Sequence, residues 1–274
     1  MPLPPLILIH GYPFDHSMWK FVVAELKDQT KIFTPDLPGF GDNPTANADP
    51  SIDLMADAVD KLFELHRFKR AVVAGMSMGG YVALSLAARH KDRLAGLGLI
   101  STQAVADTPE AQQARRTLIE KIQHEGTKPA EALLPKLFGA ASSKNKEFEH
   151  FAIEGAKNAG VEGITWALEA MARRVDQSEM LRRLTVPTLV FHGADDQIIP
   201  AERARKLADM IPNGKYVEVP GVGHGTPLES PKQLADALLE LLRRAHTFEN
   251  KPPIRDEHAR NLPSVIWSPT DRGL

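Results

Sequence analysis

Short apolar runs, each closed by glycine, proline or serine, recur along the chain with helically periodic stretches between them. Residues 6–9 end at His10-Gly11, 31–34 at Pro35, 71–74 at Gly75, 97–100 at Ser101, 188–191 at His192-Gly193 and 216–219 at Pro220-Gly221. Unbroken apolar runs of this length suit parallel strands covered on both faces. Helical patterns fill the intervals at about 51–66, 78–90, 201–211 and 230–245. The alternation predicts an α/β fold: a mostly parallel sheet of about six strands with helices on both faces.

Residues 103–183 break that rhythm. They hold no strand pattern but four helical stretches, at about 110–124, 129–138, 146–158 and 162–174. Leu118, Ile119 and Ile122, like Phe148, Phe151 and Ala152, fall at helical spacing. The expected organisation is a sheet core in two parts, 1–102 and 184–246, interrupted by an all-helical insertion at 103–183. A Pro-rich extension follows at 247–274, with four prolines in 28 residues.

Composition narrows the function. The 33 Lys+Arg nearly balance the 35 Asp+Glu, and no basic cluster beyond pairs such as Arg115-Arg116 speaks for nucleic acid. With no cysteine, thiol catalysis, Cys-ligated zinc and disulfides are excluded, and a reducing cytoplasm is the expected setting. The apolar start, 1–9, lacks the basic region and cleavage site of a signal peptide, and no run approaches the roughly 18 apolar residues of a membrane span.

The chemistry is expected where strands end. Gly75-Met76-Ser77-Met78-Gly79 follows one predicted strand and opens a predicted helix, the context of a nucleophile elbow. Glycines let the chain turn sharply and raise the Ser77 hydroxyl above the sheet. The Met78 amide, at a helix start, can then donate to an oxyanion. A serine hydroxyl needs a base. Of ten histidines, His224 lies in the Gly-rich loop Pro220-Gly221-Val222-Gly223-His224-Gly225 after the last strand. Asp195 and Asp196, after the preceding strand, offer the carboxylate that orients the base, with helix capping as the competing role. A second oxyanion donor should come from the loop after the first strand, where His10-Gly11-Tyr12-Pro13 makes the Tyr12 amide the candidate.

Taken together, these segments resemble the α/β-hydrolase superfamily, in particular small serine esterases and enol-lactonase-like hydrolases with a helical cap. The shared signatures are His10-Gly11-Tyr12-Pro13, Asp36-Leu37-Pro38-Gly39-Phe40-Gly41, Gly75-Met76-Ser77-Met78-Gly79-Gly80, Gly193-x-x-Asp196-x-x-x-Pro200 and Gly223-His224. They run in order through residues 6–245. The resemblance picks Asp196 over Asp195. It also implies that 103–183 caps Ser77, with Trp19, Met76, Met78, Phe138, Phe151 and Trp166 as candidate lining. Three departures stand out: Asp42 where relatives often have serine, Gly225 where a bulky residue is common, and no N-terminal strand pair before the first central strand.

The expected activity is hydrolysis of a small to medium carboxylic ester or lactone by a Ser-His-Asp triad, without metal or cofactor. Carbon–carbon bond hydrolysis and perhydrolysis share the triad and stay open, as does a ligand receptor on the same fold. A dinucleotide site is discarded, because Gly39-Phe40-Gly41-Asp42-Asn43-Pro44 lacks the third glycine. A small-molecule substrate is the expected partner, with neither nucleic acid nor membrane, and a homo-oligomer stays an open option. The run at 31–34 is expected at a sheet edge, within reach of the 247–274 extension.

Overall fold

A computed structural model of the chain describes residues 2–250. The elements in chain order are β1 (Leu6–Ile9), α1 (Lys20–Leu26), β2 (Ile32–Phe33), α2 (Ile52–Leu65), β3 (Ala71–Met76), α3 (Met78–Arg89) and β4 (Leu94–Ile100). Then come α4 (Pro109–Glu125), α5 (Lys128–Glu131), α6 (Lys146–Ala172), α7 (Ser178–Arg182), β5 (Thr188–Gly193), α8 (Ala201–Asp209), β6 (Gly214–Val219), α9 (Thr226–Glu229) and α10 (Pro231–Glu249).

All six strands are parallel and form one sheet in the order β2-β1-β3-β4-β5-β6. Every residue of β1, β3, β4 and β5 is buried, as unbroken apolar runs require. The outer strands are less covered. β6 is half exposed, and β2 shrinks to two residues before Pro35, whose missing N–H cannot continue a ladder. Strand order reverses direction between β1 and β3, so the crevice beyond their carboxyl ends is the natural ligand site of such a sheet.

Helix starts follow local chemistry. Ser51 caps α2 by accepting the Asp53 N–H, and Thr108 caps α4 just ahead of Pro109. Between β4 and β5 there is no strand among the described residues, only α4 to α7 and a short 3₁₀ turn, Leu134–Leu137. The two helices expected at 146–158 and 162–174 run on as α6, kinked at Gly160, whose φ of 63° and ψ of −175° interrupt the helix. Three short helices, α1, α7 and α9, escape sequence periodicity because four to seven residues show little more than one turn. At the far end α10 continues through Glu249, past the 246 boundary expected for the core. The rest of the expected extension lies outside the described residues, and so does its expected contact with the β2 edge.

Candidate active site

β3 is buried on both faces and delivers Ser77 to the carboxyl edge of the sheet. Ser77 has φ 53° and ψ −113°, a conformation few non-glycine residues adopt, and the surrounding structure holds it there. Its amide donates to the Ile100 carbonyl at 2.9 Å, and its carbonyl accepts the Thr102 hydroxyl at 2.8 Å. The flanking glycines are steric necessities. A Cβ on Gly75 would strike the backbone of Gly79, and one on Gly79 would strike the carbonyls of Ile9 and His10. β1, β3 and the first turn of α3 therefore pack closer than any side chain permits.

Nε2 of His224 lies 2.9 Å from Ser77 Oγ, and Nδ1 of the same ring lies 2.7 Å from Asp196 Oδ2. A carboxylate only accepts, so the His224 proton sits on Nδ1 and Nε2 faces the serine hydroxyl as an acceptor. Asp196 is 7% exposed and His224 1%. The other carboxylate oxygen of Asp196 accepts the amides of Ile198 at 2.8 Å and Ile199 at 2.9 Å. Burial alone would raise the Asp196 carboxyl. The His224 ring, with these amide donors, outweighs it and holds the group below the usual carboxylate range. Asp195, the competing acid, is exposed, and its amide bonds to the Val222 carbonyl.

Two further histidines surround this relay. His192 is fully buried, with Nε2 2.9 Å from the Ile199 carbonyl and 3.4 Å from Asp196 Oδ2. Burial pushes its pKa down, leaving a neutral ring behind the acid. His10, also fully buried, lies 3.1 Å from the Gly11 carbonyl through Nδ1 and accepts the Leu37 amide at Nε2. It shapes the loop that carries Tyr12. As the first residue of α3, Met78 has an amide with no intrahelical acceptor.

A cavity of about 510 Å³ opens over Ser77 and His224. Its wall is built from Tyr12, from α4 through Ala111, Ala114 and Leu118, and from Leu134 and Leu137. None of the large residues expected as lining reaches it, apart from the backbone role open to Met78. Trp19 is fully buried, Met76 lies inside β3, and Phe138 packs against Phe148 at 5.5 Å between ring centres. Phe151 stacks on Phe14 at 5.7 Å, and Trp166 donates its indole N–H to the Ala48 carbonyl at 3.3 Å. Their bulk is spent on packing.

One residue without a sequence signal ties this region together. Glu229, in α9, accepts the amide of Gly139 at 2.8 Å and that of Gly223 at 3.1 Å, while the Gly225 amide donates to the Leu137 carbonyl at 2.7 Å. The His224 loop is thus bonded on both sides to the segment covering the cavity. Asp15, His16 and Asp36 bring three potential metal-ligand atoms together at the surface. Asp15 already accepts the Ser17 amide at 2.8 Å, and Asp36 takes the His16 amide at 2.8 Å.

A parallel sheet carrying a strained serine, a buried aspartate and a buried histidine in this chain order defines an α/β hydrolase. The chain belongs to the alpha/beta hydrolase fold family, whose model matches residues 4–231. It is 37% identical to a thermophilic esterase from Thermogutta terrifontis solved with malate bound, with a TM-score of 0.85 covering 89% of this chain and 91% of that one. The enol-lactonase from Burkholderia xenovorans LB400 is 26% identical, with a TM-score of 0.81 over 89% of this chain and 92% of that one. The 2-hydroxy-6-oxo-6-(2'-aminophenyl)hexa-2,4-dienoic acid hydrolase of Metapseudomonas resinovorans is 27% identical, covering 88% of this chain and 84% of its own. No helix among the described residues is long and apolar enough to cross a membrane.

Proposed function

We propose that this protein is a serine hydrolase of small to medium carboxylic esters or lactones, acting through Ser77, His224 and Asp196. The observation that carries the reading is the relay from Asp196 Oδ2 to His224 Nδ1 at 2.7 Å and from His224 Nε2 to Ser77 Oγ at 2.9 Å, at the floor of a cavity. Ser77 attacks the substrate carbonyl while His224 takes its proton. Asp196 holds the ring in the Nδ1–H tautomer and stabilises the imidazolium. The amides of Tyr12 and Met78 receive the oxyanion. His224 then protonates the leaving alcohol, water enters, and the same base activates it to release the acid. Residues 103–183 act as the cap that excludes solvent and selects the substrate.

Likeness to an esterase and an enol-lactonase supports the ester and lactone readings. Likeness to the dienoic acid hydrolase supports carbon–carbon bond cleavage by the same three residues as the second reading. The test is a chromogenic ester series run on wild type and Ser77→Ala. A loss on the order of 10⁴-fold or more in kcat is expected from removal of the nucleophile. Equal rates in the two proteins refute the serine mechanism. Hydrolysis of a carbon–carbon substrate without any ester turnover favours the second reading.

A further inference from the structure

Most of the cavity wall over Ser77 is apolar, and no aspartate or glutamate among the described residues lines it. Arg115 and Lys121, the two Lys or Arg side chains that line it among the described residues, both stand on α4. Arg115 is only partly neutralised. Its Nε lies 2.6 Å from Asp107 Oδ2, and the other oxygen of that carboxylate lies 2.8 Å from Nη1 of Arg174. One buried acid thus serves two guanidiniums and leaves a net positive charge. The terminal nitrogens of Arg115 have no hydrogen-bond partner among the described residues. Lys121, exposed at the rim, has no ion-pair partner among them either.

Tyr12 adds a neutral donor. It lines the same cavity, and its hydroxyl is buried without a hydrogen-bond partner among the described residues. A buried polar group left unpaired is costly and uncommon. Tyr12 and Arg115 both line this one cavity.

We propose that Arg115, Lys121 and the Tyr12 hydroxyl form an anion subsite, which selects esters or lactones carrying a carboxylate at the end remote from the scissile carbonyl. The proposal rests on the serine-hydrolase reading of the site. An apolar tail would leave the Tyr12 hydroxyl and the free end of Arg115 unpaired against hydrocarbon. A carboxylate meets both. With Nε committed to Asp107, the two terminal nitrogens of Arg115 present the edge that pairs with two carboxylate oxygens.

The test compares mono-4-nitrophenyl adipate, which has a free carboxylate, with its methyl ester, a neutral molecule of nearly equal length. Wild type should prefer the carboxylate in kcat/KM by about tenfold, as a charge-assisted contact provides. Arg115→Gln, Lys121→Gln and Tyr12→Phe should each shrink that ratio, and added salt should shrink it further. Lys121→Gln, at an exposed position, keeps the test open if Arg115→Gln fails to fold. A neutral preference, or a ratio unchanged by the variants, overturns the subsite. Ser77→Ala keeping the wild-type rate overturns the serine reading while the ratio is still read. If wild type cleaves neither ester, calorimetric binding of monomethyl adipate against dimethyl adipate decides: tighter binding of the acid, weakened by Lys121→Gln, supports the subsite, and equal binding overturns it.

Discussion

Nε2 of His10 accepts the backbone N–H of Leu37 at 2.9 Å, joining the loop after β1 to the loop after β2. The bond requires a neutral ring, because a protonated imidazole has no acceptor left.

Burial lowers the His10 pKa from 6.5 to about 4. The folded protein therefore binds fewer protons here than the unfolded chain between these two values, and stability rises with pH across that window. The full contribution is present above pH 6.5 and is lost as pH falls towards 4. Its size is about 3 kcal/mol by linkage. Urea midpoints from pH 4 to 7.5 should show the fall in wild type, and His10→Asn should flatten it. Parallel curves for the two proteins would refute the assignment.

Asp196→Asn is expected to keep the fold and lose the chemistry. An amide nitrogen facing His224 Nδ1 favours the opposite tautomer, whose Nε2 already holds a proton and cannot accept one from Ser77. A fall in kcat of about 10⁴-fold is expected, with circular dichroism and Tm close to wild type. Wild-type turnover would instead assign the orienting role elsewhere, with exposed Asp195 the first place to look.

Gly79→Ala should fail earlier, at folding. Its Cβ would meet the backbone carbonyls of Ile9 and His10, and backbone cannot rotate aside as a side chain can. Destabilisation of about 3 kcal/mol is expected, read as a lower Tm or loss of soluble protein. Normal stability would mean that β1 and α3 are further apart than described.

Glu229→Gln turns an acceptor-only group into one that presents an N–H to the amides of Gly139 and Gly223. A cost of about 2 kcal/mol is expected for the lost bonds. Because Gly223 precedes His224, kcat should fall along with Tm. A stability loss with unchanged kcat would show that His224 is positioned without this bond.

The sheet and the three relay residues were legible in the sequence because each leaves a local signature, although the relay itself joins distant segments. Buried parallel strands leave continuous apolar runs, and the elbow needs Gly75 and Gly79 at fixed offsets from Ser77. The residues alone offered Asp195 and Asp196 alike, and only the family resemblance picked Asp196; the side-chain environment separates them physically, one exposed and the other bonded to His224. The cavity wall was not legible. Large residues such as Trp19 and Phe138 attract attention, but they fill space, and a cavity persists where Ala111, Ala114 and Ala130 leave it. Glu229 gave no signal because its partners are backbone amides from segments distant in sequence.

The passage from β4 to β5 has a further consequence. Neighbouring parallel strands need a crossover of about a dozen residues, whereas this chain spends residues 101–187 on it. Most of that length answers to no demand of the sheet. Ser77, Asp196 and His224 all hang from strand ends outside it. Most of the cavity wall and the three relay residues are therefore written in separate stretches of the polymer, and the stitch between them, Glu229 on the Gly139 amide, is what any graft of a different α4 to α6 would have to keep.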